Sequence, residues 1–151
     1  MNPALAVIAL VPGLALGSFL NVVAARLPRK RSLAAPRSAC LACGTQIGWR
    51  DNLPLISYVF LRGRCRTCAT PIGLRYPAVE LATALLLAAC VGVFGLSPRG
   101  ALAAFFCVVL VALSAIDLEH RILPDRLTLP STVIVLGAQT AIDPSVEWTL
   151  A

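Results

Sequence analysis

The sequence predicts an all-α, polytopic transmembrane protein of about four helices, with one large polar loop held on the cytoplasmic side. Three observations carry this prediction. Hydrophobic residues make up 58% of the 151 positions and charged residues only 13%, with a mean hydropathy of +0.84. A soluble domain carries about 25% charged residues to wet its surface, so lipid must be part of this chain's solvent. Several apolar stretches approach the roughly 20 residues that a spanning helix needs. The basic residues are gathered in one block instead of being spread along the chain. This pattern excludes a cytosolic globular enzyme, a disordered chain and a secreted disulfide miniprotein.

The first apolar stretch runs from Pro3 to Ala25. Its leader, Met1-Asn2-Pro3, has no Lys or Arg, whereas a cleaved signal peptide needs a positive start and a shorter apolar run. The stretch therefore reads as a retained helix. Gly13 and Gly17 form a small-xxx-small step that would let a second helix approach closely, although glycine is common in membrane helices in any case. The second stretch is Ala78 to Leu96 and the third Gly100 to Ile116. Ser97-Pro98-Arg99 between them is short enough to force an antiparallel hairpin. The fourth, Leu127 to Ile142, is shorter and weaker, with Pro130 near its start. The organisation read from this is a first transmembrane helix over 1–26, a polar loop over 27–76 and helices two to four over 77–151. No internal repeat or low-complexity segment is evident.

Ten of the thirteen basic residues fall between Arg26 and Arg75, with Asp51 the only acid there. The excess of positive charge on cytoplasmic loops puts this loop inside, the N-terminus outside, Ser97 to Arg99 outside, and Asp117 to Arg126 inside again. The charge reads as topology and as contact with anionic lipid. No aromatic-basic stacking pattern accompanies it, which argues against nucleic acid. A loop of fifty residues is too long to be a structureless connection, and it contains Cys40-Leu41-Ala42-Cys43 and Cys65-Arg66-Thr67-Cys68. Two such turns aim four sulfurs at one ion, close to the tetrathiolate zinc pattern. A loop this poor in apolar residues would draw its folding energy from the metal. Gly44 suits the tight turn, and Arg62, Arg64 and Arg66 would offset the net charge of about −2 on a zinc tetrathiolate. Redox chemistry is the competing use of paired cysteines, but in a reducing cytoplasm paired thiols more often bind metal. Cys90 and Cys107 sit in apolar helices as ordinary small core residues.

Asp117 closes the apolar run that ends at Ile116. An ionisable group at a membrane boundary is often functional. Spacing alone leaves open the alternative of an interface acid paired with Arg121 one turn on. Glu119, His120 and Asp125 read as solvated interface residues, and a single histidine rules out a multi-histidine site. Glu80 would reach the interface, pair with Arg75 or hold a cationic group of a substrate.

Several segments together resemble the type IV prepilin peptidase family. They are Gly17-Ser18-Phe19-Leu20-Asn21-Val22-Val23 with Arg26-Leu27-Pro28; the cysteine loop with Asp51-Asn52-Leu53-Pro54-Leu55-Ile56-Ser57-Tyr58 and Leu61-Arg62-Gly63-Arg64-Cys65; Arg75-Tyr76-Pro77-Ala78-Val79-Glu80-Leu81; and Ala115-Ile116-Asp117 through Leu123-Pro124-Asp125-Arg126-Leu127-Thr128-Leu129-Pro130. The likeness covers about Gly17 to Pro130, in the family's order. It implies an aspartic protease of the bacterial inner membrane that cuts the basic leader of prepilins or pseudopilins on the cytoplasmic side. It also implies methylation of the new N-terminus with S-adenosylmethionine. Asp117 matches the first catalytic aspartate, and Cys40, Cys43, Cys65 and Cys68 match the zinc loop.

The chain departs from the family in one respect. An aspartic dyad needs two carboxylates sharing a proton. The family's second aspartate ends a Gly-x-Gly-Asp motif that this sequence lacks, since Asp125 and Asp143 have no such glycines. The expectation is a chain that does not cleave prepilin alone and needs a C-terminal half to supply the second acid. The alternative is a non-enzymatic remnant that binds prepilins or assembly proteins through its zinc loop.

Overall fold

The fold is that of a computed structural model, which describes residues 3–35 and 37–142. Asp143, weighed above as a second acid, lies outside the described residues. Four long helices account for most of the chain: α1 (Pro3–Arg26), α3 (Arg75–Phe94), α4 (Pro98–His120) and α5 (Asp125–Ile142). Between α1 and α3 lie a 3-10 turn at Trp49–Asn52 and the short helix α2 (Ile56–Phe60). No β-strand occurs among the described residues, where the only ladder contacts are two isolated antiparallel bridges. The all-α membrane architecture read from the sequence is therefore the observed one.

Helices α1, α3 and α4 are long and apolar enough to cross a membrane. At 1.5 Å per residue they measure about 36, 30 and 34 Å, against a hydrocarbon core of about 30 Å. Their outward faces carry large apolar side chains, among them Val7, Val11, Phe19, Leu85, Val93 and Leu110, as lipid-facing helices do. The fourth helix, marginal by sequence, falls outside that group. It buries only Ser131 and packs chiefly on α4.

The helix ends extend beyond the apolar runs. Helix α3 begins at Arg75, not Ala78, and α4 continues to His120, not Ile116. Hydropathy marks where lipid begins, whereas the hydrogen-bond ladder runs on into polar residues. Pro98 and Arg99, read as part of the α3–α4 turn, instead form the first turn of α4. Pro98 needs no partner there, and the Ser97 hydroxyl accepts the Gly100 N–H at 3.1 Å. Gly95 closes α3 at φ 66°.

The core is α1 against α3, with α4 laid across both. A Cβ on Gly17 would lie 2.5 Å from the Glu80 Cα, and one on Gly13 2.6 Å from the Ala84 Cα. The two glycines are thus the close-approach step the sequence offered. Leu20, Ala24, Val79, Ala112, Ala115 and Ile116 form the buried cluster, which directly underlies the α4 turn bearing Asp117. At the same level the buried Asn21 donates its Nδ2 to the Tyr76 carbonyl at 3.0 Å, tying α1 to the first turn of α3.

Candidate metal centre and catalytic carboxylate

The four loop cysteines converge. Their sulfurs all lie within 4.8 Å of one another, with Cys40 and Cys68 at 3.7 Å. Sulfurs about 2.3 Å from a shared zinc sit about 3.8 Å apart at the corners of a tetrahedron, so donor set and spacing fit a tetrathiolate ion.

The arrangement is built twice. In the first turn the Gly44 N–H bonds the Cys40 carbonyl at 2.9 Å, and the Cys40 N–H bonds the Thr45 carbonyl at 2.9 Å. In the second, the Ala69 N–H bonds the Cys65 carbonyl at 3.0 Å, and the Cys65 N–H bonds the Thr70 carbonyl at 2.9 Å. Gly44 and Ala69 hold the same left-handed conformation, φ 71° and 54°. A bridge flanks each turn, Ala39 with Gln46 and Arg64 with Pro71. The sequence does contain an internal repeat: Cys40-x-x-Cys43-Gly44-Thr45-x-Ile47-Gly48 recurs as Cys65-x-x-Cys68-Ala69-Thr70-x-Ile72-Gly73. It is only nine residues long, far below the period of repeat folds, and this conceals it. Aligning the two cysteine pairs would have exposed it.

The repeat explains the electrostatics of the thiols. The Thr45 hydroxyl holds Cys43 below the ordinary thiol value, and the Thr70 hydroxyl does the same for Cys68. Cys65 is lowered by the backbone N–H groups of Cys68 and Thr67. Cys40 alone is raised. The N–H groups of Cys43 and Ala42 favour its thiolate, but burial and the sulfurs of Cys43 and Cys65 outweigh them. Four thiols this close cannot all ionise without a cation between them.

Of the arginines expected to offset the thiolates, Arg66 is otherwise engaged. It grips Asp51 through two nitrogens, Nε to Oδ2 at 2.8 Å and Nη2 to Oδ1 at 2.6 Å. The guanidinium holds the Asp51 carboxyl below its usual range and fixes the second cysteine turn to the Trp49–Asn52 turn. Tyr58 hydrogen-bonds the Ile72 carbonyl at 3.2 Å. A Cβ on Gly63 would meet that tyrosine's hydroxyl at 2.8 Å.

Asp117 lies exposed in the last turn of α4. The ion pair with Arg121 that the spacing left open as an alternative does not form. Arg121 instead turns left-handed at φ 52° and ends the helix, its N–H bonding the Asp117 carbonyl at 2.8 Å. Among the described residues the Asp117 carboxylate has no ion-pair partner. Glu80 does not pair with Arg75 either: its Oε2 accepts the Leu55 N–H at 2.9 Å. Arg75 pairs with Glu119, a contact 44 positions apart in sequence that no local pattern could reveal. That pair puts the Asp117 end of α4 beside the start of α3, where the cysteine loop enters the bundle. Cys90 and Cys107 face each other across α3 and α4, sulfurs 3.8 Å apart.

Comparison with known proteins gives the chain a family. The family described as Bacterial Peptidase A24 N-terminal domain matches residues 11–94, and the Type IV leader peptidase family matches residues 104–151. A prepilin leader peptidase/N-methyltransferase of Myxococcus xanthus is 48% identical over 129 residues, covering 85% of this chain and 38% of that protein. One of Burkholderia pseudomallei is 46% identical over 149 residues, 81% of this chain and 48% of the other. One of Pseudomonas aeruginosa is 40% identical over 141 residues, 78% and 49%. The chain therefore spans about half the length of these curated relatives or less. No solved structure matches it significantly. With a four-cysteine loop set between the first two of its apolar helices, and a family match over more than half its length, the chain belongs to the bacterial type IV leader peptidases.

Proposed function

We propose that this chain contributes the metal-binding loop and one of two catalytic carboxylates to a prepilin leader peptidase. The observation that carries the reading is the position of Asp117. It is an exposed acid in the last turn of a membrane-length helix, beside the root of the cysteine loop, within a segment matched by the peptidase family. The setting is the bacterial inner membrane, with the N-terminus outside and the loop over 27–76 in the cytoplasm, as the charge distribution argues.

The chemistry asks two things of Asp117. As half of a dyad it shares one proton with a second carboxylate; the ionised partner takes a proton from water while the protonated partner hydrogen-bonds the scissile carbonyl. Asp117 is free of salt bridges among the described residues, so no arginine must be displaced before a second acid reaches it. That second acid comes from a segment beyond Ile142 or from a partner chain. The substrate is a prepilin or pseudopilin whose apolar segment enters between helices.

Cys40, Cys43, Cys65 and Cys68 would hold Zn²⁺, whose contribution is structural, since four protein ligands leave no open position. The relatives' names include N-methyltransferase, which points to S-adenosylmethionine for the full-length proteins. The cleft within the cysteine loop does not fit that cofactor. This cleft, about 290 Å³ and lined by Arg50, Asp51, Ser57, Phe60 and Arg66, is open, and its one carboxylate is already taken by Arg66.

The test is a chimera of residues 1–142 with the C-terminal part of the Myxococcus xanthus relative, assayed for prepilin cleavage in membranes. The chimera should cleave, its Asp117→Asn variant should not, and the 151-residue chain alone should not. Cleavage by the Asp117→Asn chimera would refute the role given to Asp117.

A further inference from the structure

We propose that Trp49 and helix α2 form a docking surface for the anionic leaflet of the bilayer, so that the cysteine loop lies on the membrane instead of standing in water. The inference rests on the membrane assignment alone and is independent of proteolysis.

The loop has an apolar face that nothing among the described residues covers. Trp49 is 74% exposed, Val59 73% and Phe60 82%, with Ile56 beside them at 52%. Ile56, Val59 and Phe60 lie three and four positions apart on α2 and so share one face, and Trp49 opens the 3-10 turn that contacts α2. Their depth is set by Glu80. That residue lies two positions past Ala78, where the apolar run of α3 begins, about 3 Å along the axis, and its carboxylate holds the backbone N–H of Leu55, which immediately precedes α2. Helix α2 is thereby pinned level with the second turn of a spanning helix. Amphipathic segments bury their apolar faces at the boundary between headgroups and acyl chains, and the start of the apolar run, where α2 is held, marks that boundary.

Charge identifies the occupant. Arg29, Lys30, Arg31, Arg37, Arg50, Arg62 and Arg64 are all exposed, and the loop's single acid, Asp51, is bound to Arg66. The Arg50 guanidinium stacks 5.2 Å above the Trp49 ring. That places a cation beside an indole, the combination favoured at a lipid-water boundary. A sheet of anionic headgroups supplies the negative charge the loop lacks over its whole width. Each basic residue near such a surface strengthens the attraction, which fades within a Debye length.

The chain has two tryptophans, so Trp148→Phe leaves Trp49 as the only indole. The 151-residue chain is reconstituted into phosphatidylcholine vesicles with or without about a third phosphatidylglycerol, using lipids brominated high on the acyl chain. The expected result is Trp49 emission quenched by the brominated lipid and shielded from acrylamide, more strongly with phosphatidylglycerol and less at high salt. Val59→Ser with Phe60→Ser should weaken the quenching. A second reporter, Phe60→Trp in a Trp49→Phe, Trp148→Phe background, should show the same from α2 itself. Indoles open to acrylamide and unquenched by lipid would overturn the proposal. Indoles shielded from both reagents would do so too, and would assign the face to a protein partner. Quenching indifferent to lipid charge would overturn the assignment to an anionic surface.

Discussion

Substituting alanine for Gly17 should separate α1 from α3, and the cost can be worked from the geometry. The new Cβ would stand 2.5 Å from the Glu80 Cα and 3.1 Å from the carbonyl oxygens of Val79 and Glu80. All three are backbone atoms, so no side chain can rotate away. Carbon atoms rest at about 3.5–4.0 Å, so the helices must part by roughly 1 Å. Overpacking of this kind costs about 1–3 kcal/mol. The Asn21–Tyr76 hydrogen bond, 3.0 Å long and one helical turn away, would stretch past useful range and add about 0.6 kcal/mol. Against this, alanine is favoured over glycine within a helix by up to about 1 kcal/mol. The net destabilisation is about 1.5 kcal/mol, roughly tenfold in the unfolding equilibrium. The internal control is Gly137 of α5, where an added Cβ meets nothing within 4 Å and only the propensity gain remains. Unfolding of the 151-residue chain by sodium dodecyl sulfate in mixed micelles, followed by circular dichroism, should rank Gly137→Ala at or above the parent and Gly17→Ala below it. Equal stability of Gly17→Ala and the parent would refute the close-packing argument. So would an equal loss at Gly137.

Four further outcomes follow from the site. Purified protein should carry one zinc per chain by elemental analysis, and Cys68→Ser should lose it. Asp117→Asn should leave unfolding in micelles unchanged, because its exposed carboxylate holds nothing together, while abolishing cleavage in the chimera. Arg75→Glu and Glu119→Arg should each destabilise the parent, by about 1 kcal/mol at most for a partly exposed pair, and the double exchange should recover most of the loss. The Asp51 carboxyl titrates below its ordinary value because of Arg66. Its contribution is therefore fully present above the unfolded carboxylate's pKa and lost as pH falls through the lower folded value. Because the pair is exposed and contributes little, trypsin nicking of the loop at neutral pH should be only slightly faster in Asp51→Asn than in the parent, and much slower than in Cys68→Ser.

The membrane architecture was legible because lipid selects for one simple property, length of apolar chain, and α1, α3 and α4 display it without competition. The convergence of the cysteines was legible because two C-x-x-C spacings are enough to bring four sulfurs to one place. Contacts set by three-dimensional packing alone were not legible. Glu80 could be placed on α3, but its partner is a backbone N–H 25 positions earlier. Arg75 was drawn toward Glu80 by proximity in sequence, and Glu119 claims it from another helix. Arg121 stood at the right spacing to pair with Asp117, yet the chain must end α4 there, and a residue in a left-handed cap leaves the helical face on which i,i+4 pairing depends.

The loop between α1 and α3 poses a sharper physical question: what holds it folded. Between residues 27 and 75 only Gly63 is buried among the described residues, so there is no hydrophobic core. Its regular structure amounts to five residues of α2, one 3-10 turn and two isolated bridges. None of these survives alone, because short helices and single bridges do not repay the entropy of ordering them. The Asp51–Arg66 pair is exposed and contributes little. A tetrathiolate ion, by contrast, supplies an apparent 10–16 kcal/mol in small zinc domains, enough to fix both cysteine turns and through them the segment between. Metal removal should therefore unfold this loop while leaving the bundle intact, because Leu20, Ala24, Val79, Ala115 and Ile116 pack without it. Hydrogen exchange on chelated protein should show amides of Cys40, Gly44, Cys65 and Ala69 losing protection while those of α1, α3 and α4 keep it. Loss of protection in all of these together would mean that the loop and bundle fold as one unit, and that the metal's role extends into the membrane.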